Sequence, residues 1–168
     1  HHVKPAGEIK VDDDFVQYPD AQTSSLLAAG YAVKNGGKIL LANGEYSSSI
    51  AVTVESDNVH LTGQEKENVH INHMYDYNYS YGIRFECDGA RISNLTISSG
   101  VDESVTALLY GNAITFENID IEPLEGKSIV YGRINGGGGT NMIIRNVTAV
   151  NAKECLNIGS ENGIIENC

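Results

Sequence analysis

Ile92-Ser93-Asn94-Leu95, Phe116-Glu117-Asn118-Ile119, Ile144-Arg145-Asn146-Val147 and Ile165-Glu166-Asn167-Cys168 are four variants of one phrase. Their asparagines fall 24, 28 and 21 residues apart, a loose period of the kind that solenoids show. Around each Asn the apolar residues keep fixed places. Ile92, Phe116, Ile144 and Ile165 stand two before it, and Leu95, Ile119, Val147 and Cys168 one after it. Each copy reads in-out-in, breaks at Asn, and reads in-out-in again, which is the period of a strand interrupted by a residue that tolerates the left-handed backbone region. Stacked at the inter-strand spacing of roughly 4.8 Å, such rungs form aliphatic columns and a ladder of Asn94, Asn118, Asn146 and Asn167. The ladder reading makes these asparagines structural. It also discounts the sequons at Asn94 and Asn146, because a glycan needs an exposed loop. Asn112, outside the phrase, is read as solvent-facing.

The composition agrees with a thin aliphatic core joined by tight turns: 41% of the 168 residues are apolar, 7% are aromatic, none is Trp and 18 are Gly. A net charge of −11 argues against nucleic acid, since no Lys/Arg run could replace counterions along a phosphate backbone. No stretch approaches the ~20 apolar residues of a membrane span. Cys87, Cys155 and Cys168 lack metal-type spacing, and Cys168 falls in an inward column as a small apolar residue. His1-His2 reads as the stub of a purification tag.

Residues 1–19 read as a polar, extended segment. The Asp12-Asp13-Asp14 run is a solvated turn or, on the rival reading, supplies oxygens to calcium. Pro19-Asp20 opens a helix that carries Leu26, Leu27, Ala29, Ala32 and Val33, and Asn35-Gly36-Gly37 closes it, so a helix over 20–36 is expected to cover the first rung. Residues 37–168 then form about five rungs of a single domain. In Val59-His60-Leu61-Thr62-Gly63 the glycine takes the place later held by Asn, as a second residue able to adopt the turn conformation.

The helix, the run Gly36-Gly37-Lys38-Ile39-Leu40-Leu41-Ala42-Asn43-Gly44-Glu45-Tyr46 and the phrase Val59-His60-Leu61-Thr62-Gly63 together resemble the opening of right-handed parallel β-helix proteins of the pectin-lyase-like superfamily. The resemblance covers roughly residues 20–168. It implies an all-β, right-handed parallel β-helix with an N-terminal capping helix, and an extracellular or cell-surface protein that handles polysaccharide. It does not select an activity, because the superfamily holds lyases, hydrolases, epimerases, tailspikes and non-catalytic adhesins. The hydrolase signature of Asn-Thr-Asp, paired Asp and Gly-His-Gly is missing, as is the Trp-Ile-Asp-His of pectate lyases.

Two clusters remain as carbohydrate contacts. The loop Met74 to Tyr81 holds Tyr75, Tyr77, Tyr79 and Tyr81, aromatic faces with polar tips that suit pyranose rings, although Tyr79 and Tyr81 also fit as packing strand residues. Arg84 lies ten before Asn94 and points outward. If part of Gly136-Gly137-Gly138-Gly139 is an insertion, Arg133 joins its column two rungs away, and the pair could neutralise a uronate carboxylate during β-elimination. No Lys or His is expected to serve as base, and Asp102-Glu103 and Glu122 with Glu125 read as solvated acids. Two functions stay open: a lyase of acidic polysaccharide aided by calcium, and a non-catalytic glycan-binding or surface-structural β-helix. The chain stops in mid-phrase, which predicts either a longer β-helix or a last rung covered by another copy.

Overall fold

The computed structural model describes residues 3–48, 50–73, 81–99, 105–127 and 133–168, and only the backbone of Tyr81, Val105, Arg133 and Asn135. In chain order the elements are β1 (Ala6–Val11), α1 (Leu26–Ala32), β2 (Val33–Leu41), β3 (Gly44–Ser47), β4 (Val52–Val54), β5 (His60–Gly63), β6 (Val69–His73) and β7 (Tyr81–Glu86). There follow β8 (Arg91–Ser99), β9 (Val105–Tyr110), β10 (Thr115–Pro123), β11 (Arg133–Thr140), β12 (Ile143–Ala149), β13 (Leu156–Glu161) and β14 (Ile164–Glu166). All their pairings are parallel. The result is a parallel β-solenoid of about six turns.

One sheet runs β1-β2-β5-β8-β10-β12-β14, with β3 and β6 joining it through the far half of β8. The other runs β13-β11-β9-β7-β4. Strand alternation turns one apolar residue in two inward, and the register stacks these residues into columns. Ile9, Ile39, Leu61, Ile92, Phe116 and Ile144 form one such column, every member fully buried. Burying each is worth roughly 1.5–3 kcal/mol, so the columns are the main favourable term holding the coil.

The sequence predicts about five rungs and leaves the polar, extended segment 1–19 outside them. In fact β1 is a rung strand, pairing Ile9 with Ile39 and Val11 with Leu41. The helix is also shorter than the expected 20–36. Residues before it stay extended because Asp12 N–H donates to the Thr23 carbonyl and Gln22 N–H to that of Lys10. Ser25 then caps α1, its Oγ accepting from Ala28 N–H at 3.1 Å. Val33 is already extended at the other end, and Asn35-Gly36-Gly37 become a bulge in the β1–β2 pairing instead of a helix stop. The cap is therefore divided: β1 covers β2, while α1 packs on β4. Gly30 permits that approach, since a Cβ there would stand 2.7 Å from the Thr53 carbonyl oxygen.

The four ladder asparagines all have positive φ, 62, 53, 52 and 52° in chain order. Asn118 Nδ2 donates to Asn94 Oδ1 at 2.8 Å, and Asn94 Nδ2 donates to the Gly63 carbonyl at 2.8 Å. Asn118→Leu is expected to cost on the order of 1–3 kcal/mol, read as a shift in the urea midpoint, because Asn94 loses its partner inside the stack. Gly63 occupies the Asn column for a reason other than the one expected. Its φ is not positive; a Cβ there would run into the carbonyl oxygen of Asn94 on the next rung.

A second ladder went unread in the sequence. Asn35, Asp57, Asp88 and Asn112 each accept, through side-chain Oδ1, the backbone N–H of the next of these positions, ending at Thr140, over 2.8 to 3.0 Å. Asn112 is exposed, as read from the sequence, and is also a member of this second ladder. The residue after each takes the left-handed conformation: Gly36, Asn58, Gly89, Ala113 and Asn141. Ala113, at φ 54°, is the one member of that column with neither a glycine's freedom nor a short polar side chain. Ala113→Asn is expected to raise stability by about 0.5–1 kcal/mol, measured by thermal unfolding; a loss would mean that the turn holds no such strain.

Candidate functional site

Tyr75, Tyr77 and Tyr79 lie outside the described residues, as do Asp102 and Glu103, and of Tyr81 only its place at the start of β7 is described. The arginine column is corrected. Arg84 pairs with Leu108, Leu108 with Asn135, and Asn135 with Asn157, whereas Arg133 pairs with Val105. The glycine run does not shift the register upstream of itself. Its extra residue is absorbed between Gly136 and Gly139 on the β13 side, so Asn135 and not Arg133 shares the Arg84 column. Arg84 Nη2 also donates to Glu86 Oε1 at 2.5 Å, which offsets its charge.

A different cationic column stands on the outer face of the larger sheet. Lys38, His60 and Arg91 are register partners on consecutive rungs, β2 to β5 to β8, at roughly the 4.8 Å strand spacing. Lys38 and Arg91 are exposed and His60 is half-buried. Burial first, then the positive charges of Arg91 and Lys38, push the His60 imidazole below its ordinary pKa, with Glu117 pulling the other way. His60 is therefore neutral at pH 7. Its Nε2 lies 3.0 Å from Ser93 Oγ, which in turn lies 3.1 Å from Thr62 Oγ1, so the ring is held in a chain of hydroxyls. The repeat carried the signal for this column, because Lys38, His60 and Arg91 stand three before Leu41, Gly63 and Asn94, of which Leu41 and Gly63 are register partners and Asn94 Nδ2 donates to the Gly63 carbonyl.

Glu117 holds one end of the strip. It is 8% exposed and accepts from Arg91 Nε at 2.7 Å and from Arg145 Nε at 2.6 Å. Burial would raise its pKa, but the hydrogen bonds from Arg145 and Arg91 outweigh this and leave the carboxyl below its usual range. Because the native pKa lies below the unfolded one, the stabilisation is complete above the ordinary Glu value of about 4.3 and is lost as pH falls through the native value. The double change Arg91→Ala with Arg145→Ala is expected to cost roughly 2–3 kcal/mol at pH 7. This is less than a fully buried pair would lose, since solvent reaches both guanidiniums. The gap from wild type in urea unfolding should narrow as Glu117 protonates; a gap that stays constant into acid would mean lost packing instead.

The acidic run is a tied loop. Asp12, Asp13 and Asp14 bring carboxylate oxygens within 4.8 Å of one another. The Asp12 side chain accepts from Tyr18 N–H at 2.6 Å and from Asp14 N–H at 3.3 Å, Asp13 Oδ2 from Glu45 N–H at 2.9 Å, and Asp14 Oδ1 from Val16 N–H at 2.9 Å. Burial of Asp12 opposes its ionisation, yet the amides of Tyr18 and Asp14 outweigh that and lower its pKa. Asp13 Oδ1 is buried without a hydrogen bond, and is the atom that a hard cation such as calcium would take first. Both oxygens of Asp12, Oδ2 of Asp13 and Oδ1 of Asp14 are already held by backbone amides.

A cleft of ≈ 770 Å³ lies around the corner from the cationic strip. Its polar lining includes Glu45, His70, Asn72, Ser98 and Glu122, and Pro123, Leu124 and Val150 give it an apolar wall. Glu122, read from the sequence as a solvated acid, stands here 3.7 Å from His70 Nδ1. No protein family and no curated protein matches the chain in sequence. Among the described residues no helix is long and apolar enough to cross a membrane.

Proposed function

We propose that this β-solenoid acts on an acidic polysaccharide by β-elimination at the Lys38–His60–Arg91 strip. The observation that carries the reading is an imidazole set in register between two cations, where burial and both charges disfavour its protonation. Elimination from a uronate needs a base for the proton α to the carboxyl group, and positive charge to hold the carboxylate as it gains enolate character. Lys38 supplies the charge, and Arg91, its charge partly offset by the Glu117 carboxylate that it shares with Arg145, adds guanidinium hydrogen-bond donors in a fixed orientation. His60 takes the proton, the glycosidic oxygen leaves from the β-carbon and takes up a proton from water, and a double bond forms between the two carbons. Membership of the pectin-lyase-like superfamily and an extracellular or cell-surface location belong to the same proposal.

The exposure of Lys38 and Arg91 favours a second reading, glycan binding without catalysis, since water-screened cations stabilise developing charge weakly. Incubation with pectate, alginate and glycosaminoglycans, with and without calcium, tests both. New ultraviolet absorbance from unsaturated product is expected with at least one polymer. Silence from all, together with retardation of a polymer in affinity electrophoresis, would leave the binding reading; silence and no retardation would remove both.

A further inference from the structure

We propose that the cleft on the other side of the Asn ladder is a serine esterase site, with Ser98 as nucleophile and His70 as base. This goes beyond the lyase reading and uses none of its residues. Ser98 and His70 sit on adjacent strands, β8 and β6, in the outward columns that begin after the Asn bend. The His70 Nε2 contact to the Glu67 carbonyl is 2.8 Å, and a carbonyl can only accept. That bond places the imidazole hydrogen on Nε2. The lone pair is then on Nδ1, which faces Ser98 Oγ at 3.4 Å, within the looser range of a nucleophile–base pair before substrate tightens it. The backbone carbonyl does for this histidine what a buried carboxylate does in a Ser-His-Asp arrangement: it fixes the tautomer and the ring orientation.

The surroundings supply the other roles. Glu122 Oε1 also accepts from Ser98 Oγ, at 3.5 Å, so the hydroxyl hydrogen must turn from Glu122 to His70 Nδ1 for attack; standing 3.7 Å from that Nδ1, the carboxylate then stabilises the imidazolium that forms. Asn72 is the register partner of Ser98, and its Nδ2 gives one hydrogen to Glu45 Oε2 at 2.6 Å. The second hydrogen of that amide is left to meet an oxyanion above Ser98. Pro123, Leu124 and Val150 line the same cleft and fit an acyl chain. Ser98 is only 4% exposed, as befits a nucleophile at the floor of a cleft that is open to solvent above it.

The step balances without a cofactor. Ser98 Oγ attacks the ester carbonyl carbon while His70 Nδ1 takes the hydroxyl proton. The tetrahedral intermediate collapses, the C–O bond to the alcohol breaks, and His70 returns the proton to the leaving alcohol. Water then attacks the acyl-serine with His70 again as base, releasing a carboxylic acid and regenerating Ser98. The substrate class is a short-chain acyl ester of an alcohol, such as an O-acetyl group.

The test is covalent labelling of the intact protein with a fluorophosphonate, with peptide mass spectrometry to locate the adduct, alongside hydrolysis of 4-nitrophenyl acetate. Stoichiometric label on Ser98 is expected. His70→Gln should slow labelling by about 10²-fold or more, and Ser98→Ala should lose both label and turnover. Asn72→Ala should lower turnover by about 10²-fold. Labelling of the unaltered protein needs no variant to fold, so a protein that takes no label at Ser98 overturns the proposal. So does a folded Ser98→Ala variant, checked by circular dichroism, that hydrolyses the ester at the wild-type rate.

Discussion

His60→Gln is expected to lower kcat/KM on a uronate polymer by about 10²–10⁴-fold, the usual range for removing a positioned general base, while leaving polymer binding nearly intact. Binding should survive because Lys38 and Arg91, which would hold the carboxylate, stay in register on either side. The pH profile is a second signature. Burial, Arg91 and Lys38 hold the His60 imidazole below its ordinary value, so the acid limb of kcat/KM should fall below the ordinary histidine value of about 6.5. Lys38→Gln removes one of those charges and should move the limb upward, as should added salt, which screens the exposed cations. A limb at or above the ordinary histidine value, or a His60→Gln variant with wild-type turnover, would take the base away from His60.

Gly63→Ala is expected to cost roughly 2–3 kcal/mol, in the upper part of the range for forcing extra volume into a packed interior. The added Cβ would meet the carbonyl oxygen of Asn94 and would also stand 3.1 Å from Val69 Cβ. A backbone oxygen cannot rotate out of the way, so the rungs must separate. Separation would stretch the bond from Asn94 Nδ2 to the Gly63 carbonyl and, through it, the bond from Asn118 to Asn94. Gly7→Ala is the matched control: a Cβ there meets nothing within 4 Å, and its effect should stay within about 0.5 kcal/mol. Equal urea midpoints for the two variants would show that the Gly63 position is not crowded.

Much of this was legible residue by residue. The phrase Ile92-Ser93-Asn94-Leu95 and its copies fixed period, strand alternation and the inward columns, because stacking identical rungs is how such a repeat buries its apolar positions without leaving strand edges inside. The same alignment already held Lys38, His60 and Arg91 in one column, although the spacing around Arg84 pointed to no Lys or His as base. Three things came from the tertiary structure alone. The helix shrank to Leu26–Ala32 because Thr23 and Gln22 found partners on the first strand, a long-range pairing that local propensity does not carry. Arg133 left the Arg84 column because a bulge absorbs its extra residue where the backbone is least constrained, in the glycines after Asn135, and sequence spacing cannot say on which side that happens. The tautomer of His70 was decided by the Glu67 carbonyl that its Nε2 touches, and the lowered pKa of His60 by burial and the two cations stacked beside it. The sequence by itself determined which residues face in and which face out, since alternation is a property of the strand. Which outward residues meet, and with what charge, was decided only when the rungs were stacked, because register and bulges set those distances.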